Sequence, residues 1–137
     1  MRARFSGEME ATPNQLIPMQ PVQILLEPHV AGDTWEGISS IGPVLFDGAA
    51  PPHVLVKAWI YFKEGDNYPP CARVATAPDA GEAPILLLDP AAWSLSVPPV
   101  APALFPLTPG NWKWSFKTID AAGILRTLYH GVLEVTP

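Results

Sequence analysis

The sequence predicts an all-β protein, an antiparallel sandwich of about seven short strands. Three observations predict it. The segment around 112–118 alternates strictly: Trp112, Trp114, Phe116 and Thr118 fall on one face, and Lys113, Ser115 and Lys117 on the other. That period of two marks a half-buried strand. Proline supplies 18 of 137 residues, and each proline removes a backbone donor and opposes long helices. Short apolar runs recur between Gly, Pro and Asp turn signals, the spacing of a sandwich.

The elements follow in order. Residues 1–20 are polar, proline-containing and aperiodic, and read as an extended N-terminal arm; residues 21–137 form the sandwich domain. Phe5, Met9, Leu16, Ile17 and Met19 share no period, so the arm has no core of its own. It is expected to lie against a neighbouring chain, with Phe5, Leu16, Ile17 and Met19 as contacts. The first strand is expected over 22–30, followed by a Gly32-Asp33 turn and an extended piece from Thr34 to Ile38. Gly42-Pro43 and Gly48 to Pro52 mark a loop. The central strand is expected over 54–63. Val54, Val56, Ala58, Ile60 and Phe62 should face one way, and Leu55, Lys57, Trp59, Tyr61 and Lys63 the other. Trp59 and Tyr61 make that second face partly apolar and suited to a neighbour. A weak edge strand is expected at 71–76 and an apolar run at 85–88. Asp89-Pro90 suits the start of a single helical turn. Asp120-Ala-Ala-Gly123 turns the chain into a closing strand over 124–135, with Gly123 able to take positive φ.

Composition sets limits. One domain with one core suits this length. The chain is 48% hydrophobic and 15% charged, against about 25% charged in soluble domains. So little charge implies apolar surface buried against other chains. The net charge is −5 and the eight Lys and Arg are scattered along the sequence, which points away from nucleic acid. Residues 90–112 carry no charge, yet six prolines there oppose a membrane span. The expected structure is an irregular connection with a short strand inside. The single Cys71 forms no internal disulfide, and the N-terminus lacks an apolar signal core.

The order of features resembles that of small immunoglobulin-like β-sandwich modules in bacteriophage tail, baseplate and fibre proteins. The matching residues are Gly32-Asp33-Thr34-Trp35, then Pro109-Gly110-Asn-Trp112-Lys-Trp114, and then Asp120-Ala-Ala-Gly123, Thr127-Leu128, Gly131 and Val135. The likeness spans about residues 21–136 and rests on turns and aromatics. It implies an immunoglobulin-like fold and a structural role in the virion tail after synthesis in the host cytoplasm. Partners would be other tail, baseplate or fibre proteins in a homo- or hetero-oligomer, with no nucleic acid and no membrane.

No catalytic constellation stands out, so the chain is expected not to be an enzyme and to need no cofactor or metal. His29, His53 and His130 are isolated, without ligand-like spacing. Asp33, Glu36, Asp66, Asp79, Asp89 and Asp120 mostly sit beside Gly or Pro, where turn and capping roles explain them. Cys71 lacks a nucleophile's flanking context and reads as a half-buried structural thiol. No phosphate-loop pattern occurs. An alternative reading uses Trp35, Trp59 and Trp93 as a flat platform for host glycans. Otherwise these three pack at subunit contacts while Trp112 and Trp114 fill the core. A further alternative is a tail-fibre assembly helper.

Overall fold

The computed structural model describes residues 3–5, 10–11 and 22–137, with backbone alone for the first two stretches. The strands are β1 (Ala3–Phe5), β2 (Glu10–Ala11), β3 (Val22–Gln23), β4 (His29–Val30), β5 (Ile38–Ile41), β6 (Leu45–Phe46), β7 (Leu55–Lys63), β8 (Ala72–Ala75), β9 (Ala83–Pro84), β10 (Leu86–Asp89), β11 (Ser94–Val97), β12 (Gly110–Asp120) and β13 (Leu125–Thr136). The fold is all-β, with one 3-10 turn at Pro102–Leu104.

A seven-stranded sheet runs β3-β13-β12-β7-β8-β9, with β4 also paired to β13. A four-stranded sheet runs β1-β5-β11-β10, and β2 pairs with β6. The all-β architecture agrees with the expected sandwich, but the sheets are mixed rather than purely antiparallel and hold more strands than the seven expected. β1–β5, β2–β6, β3–β13, β4–β13 and β8–β9 are parallel pairs. Each of these parallel pairings spans only two or three residues, and no local sequence period encodes such short pieces. Ala3–Phe5 and Glu10–Ala11 of the arm pair with strands of this same chain. Leu16, Ile17 and Met19, and the side chain of Phe5, lie outside the described residues.

The strand expected over 22–30 is split into β3 and β4. Leu25 between them is 87% exposed, and Pro28 offers no amide to a ladder. Backbone bonds from Ile24 to His130 and from Ala31 to Thr136 still tie the segment to β13. Asp89-Pro90 opens a turn over 90–93 with Asp89 as its cap, as expected, but the turn is not helical. The Asp89 Oδ1 accepts from the Ala91 and Ala92 amides within the β10–β11 connection, a local side-chain turn.

The expected faces of β12 are observed. Trp112, Trp114, Phe116 and Thr118 are buried while Lys113 is exposed. β7 departs from expectation at its start. Asp120 pairs with Leu55 and Ile119 with Lys57, so one step on β12 spans two on β7. Val56 is the extra residue of a bulge. Leu55 therefore points inward, Val56 is 58% exposed, and normal alternation resumes at Ala58. A second shift on β13 buries the consecutive pair Leu128 and Tyr129.

Both sheets contribute to one buried cluster. Trp35 stacks on Phe105 with centroids 4.6 Å apart, and Phe62 meets both rings edge-on. Trp93 meets Phe46 edge-on at 5.0 Å and donates its indole N–H to the His53 carbonyl at 2.9 Å. Burial pushes the Tyr129 pKa up to about 12, so this core phenol stays neutral. Gly42 has φ +83° and its missing Cβ would collide with the Trp93 carbonyl oxygen. Gly42→Ala is expected to cost about 1–3 kcal/mol, read as a lower urea midpoint. An unchanged midpoint would contradict this packing.

Candidate interaction surfaces

Two surfaces stand out by exposure and chemistry. The first is the rim of the four-stranded sheet. β10 closes that sheet's order and pairs along one side with β11. Its residues are Leu86-Leu87-Leu88-Asp89, and Leu86 and Leu88 are 48% and 62% exposed. An apolar strand with a free edge is a template for pairing. The corresponding rim of the larger sheet, β9, ends in Pro84, which blunts it.

The second surface is the outer face of the seven-stranded sheet. Alternation sends Lys57, Trp59, Tyr61 and Lys63 of β7 to this side, with Arg73 of β8 and Lys113, Ser115 and Lys117 of β12. Register then aligns them in rows. Lys63 lies opposite Lys113, Trp59 opposite Lys117, and Tyr61 opposite both Ser115 and Arg73. The scattered cations of the sequence thus converge: five of the eight Lys and Arg occupy one face. Scatter along the sequence is undone by strand register, which joins residues as far apart as Lys57 and Lys117 on one face.

Cations also cover the aromatic rings here. The Lys57 ammonium and the Arg73 guanidinium each lie 5.6 Å from the Trp59 ring, and the Lys63 ammonium lies 5.0 Å from Tyr61. Arg73 is held by Glu82 through bonds of 2.8 and 3.1 Å. Burial raises the Glu82 pKa, but the Arg73 hydrogen bond and the Asp79 amide outweigh it and leave it lowered. Lys113 meets Asp66 at 3.1 Å, and Lys117 donates to the Thr127 hydroxyl at 2.7 Å. A depression of about 280 Å³ opens between Gln23, Tyr61, Lys63, Asp66, Lys113, Ser115 and His130.

Of the three tryptophans expected at contacts, Trp35 and Trp93 are core residues. Their burial dismantles the proposed three-ring platform, because their faces are spent on Phe105, Phe62 and Phe46. Trp59 and Tyr61 do lie on the outer face, half-buried. The expected half-buried Cys71 is instead exposed, its thiol 3.7 Å from the Pro106 carbonyl.

Asp120 has the expected turn role and a further one. Its carboxylate accepts the Ala122 and Ile124 amides and binds Arg126 at 2.6 Å, while Gly123 takes φ +77°. The Arg126 guanidinium also lies 5.1 Å from the Phe46 ring and 5.9 Å from that of Trp93. Burial alone would raise the Asp120 pKa. The bonds from Arg126 and the backbone hold it below its ordinary value. His29 is buried edge-on against Phe105, and desolvation lowers its pKa despite the nearby Asp33 charge.

Among the described residues no three His, Cys, Asp or Glu side chains form a group that could hold a metal ion. No helix is long and apolar enough to cross a membrane. Comparison with family models, curated proteins and solved structures finds no match to this chain.

Proposed function

We propose that this chain is a structural component of a bacteriophage tail, in its baseplate or fibre, built on an immunoglobulin-like sandwich and acting through protein–protein contacts in the virion. The observation that carries an assembly role is the leucine-bearing edge of β10, which pairs with no strand among the described residues. A strand of this kind buries apolar side chains and completes its hydrogen bonds when another chain adds alongside. The resemblance of the turn and aromatic motifs supports the phage setting. The glycan reading has less support, since Trp35 and Trp93 are buried and the Trp59 ring is covered by cations.

The double variant Leu86→Lys, Leu88→Lys tests this role. Both side chains are exposed, so circular dichroism and melting should stay near the parent. The expected result is loss of the oligomer in light scattering and loss of incorporation into particles. A parent that remains monomeric, both alone and with baseplate or fibre proteins, would count against an assembly role.

A further inference from the structure

We propose that the outer face of the seven-stranded sheet docks an acidic protein segment, its carboxylates seated on Lys63, Lys113 and Lys117. This surface is separate from the β10 edge and stands or falls independently of it.

The placement of the lysines carries the inference. Lys63 and Lys113 are direct cross-strand partners. Like charges directly opposite destabilise a sheet. The neighbouring carboxylate, Asp66, is 82% exposed and meets Lys113 alone, so it screens the pair weakly. Among the described residues Lys57, Lys63 and Lys117 make no ion pair. The repulsion is relieved when an anion binds between the two ammonium groups.

The same grid selects the kind of anion. Neighbouring rows along a strand repeat at roughly 6.8 Å, the spacing of alternate side chains in any extended peptide. A segment with acids at every second position therefore meets the face in step. Base stacking on a nucleic acid needs open rings, but Trp59 and Tyr61 carry cations over theirs. Acidic groups also border the face: Asp66, Asp79 and Glu82 toward β8, and Glu134 on β13. That border repels a long polyanion running past, yet leaves room for two or three carboxylates. The polar lining of Gln23, Ser115 and His130 supplies hydrogen-bonding groups beside the lysines.

The probe is a fluorescent peptide of alternating Glu and Val, titrated by anisotropy at low salt, with a single-stranded oligothymidine as comparison. The peptide should bind, weaken steeply with added salt, and lose at least tenfold in affinity in Lys63→Gln, Lys113→Gln. That variant should melt close to the parent, because loss of the repulsive pair offsets loss of the exposed Lys113–Asp66 and Lys63–Tyr61 contacts; Lys63→Gln alone should show an intermediate loss of affinity. Leu86→Lys, Leu88→Lys should bind the peptide like the parent. The proposal is overturned if the parent ignores the peptide, if the glutamine variants bind it equally, or if oligothymidine binds more tightly.

Discussion

Replacing Trp114 with alanine is expected to lower the unfolding free energy by about 3–5 kcal/mol, the range for a buried aromatic. Trp114 sits in β12, between β13 and β7, and is 1% exposed. It pairs in register with Gly131, and a side chain on that glycine would meet the indole ring. The indole fills space that Gly131 leaves open, so truncation creates a cavity that neighbouring groups cannot easily fill. Denaturant unfolding of the variant beside Lys113→Ala gives the comparison. Lys113 is exposed on the same strand, and its loss should shift stability by no more than about 0.5 kcal/mol. A Trp114→Ala protein melting within about a degree of the parent would refute this placement.

Asp120→Asn is the second large effect. Asparagine keeps an oxygen for the Ala122 and Ile124 amides but removes the charge facing Arg126. The guanidinium is then left unpaired beside the Phe46 and Trp93 rings. Breaking a buried pair costs about 3–5 kcal/mol, and the lower end applies because Arg126 retains 17% side-chain exposure. The pH dependence separates the charge from the turn. The folded-state pKa of Asp120 is lowered from its ordinary 3.8. Its stabilisation is therefore fully present above that value and is lost as pH falls through the lower folded value. The parent should lose stability along this acid limb, and Asp120→Asn should show a flatter one. Equal slopes in acid denaturation would mean that the ion pair contributes nothing.

Legibility in the sequence followed the range of the interaction. The faces of β12 and the Asp120–Gly123 turn are local, and period and turn chemistry revealed them. The start of β7 is not legible locally, because the bulge at Val56 inverts the alternation and is defined by the partner strand. The core roles of Trp35 and Trp93 have no local signal, since nothing in their immediate neighbours announces Phe105, Phe46 or the His53 carbonyl. The basic face was invisible for the same reason. Lys63 and Lys113 become neighbours only through the register between β7 and β12. The Asp120–Arg126 pair had a usable signal: an acid at a hairpin turn and a base two residues beyond Gly123–Ile124 on the returning strand.

The order β3-β13-β12-β7 has a consequence for synthesis. The two strands made last among those described lie between β3 and β7, which are made earlier. While 110–136 is still inside the ribosome, β7 lacks its β12 neighbour and β3 and β4 have no β13 to join. Backbone donors, acceptors and inward apolar side chains such as Phe62 then wait in the open. Closure of the larger sheet is therefore a late event that joins distant parts of the chain, the class of step that folds slowly. A nascent chain stalled before 110 should be readily cut by protease and held by chaperones, whereas release of 110–136 should confer protection in a single step.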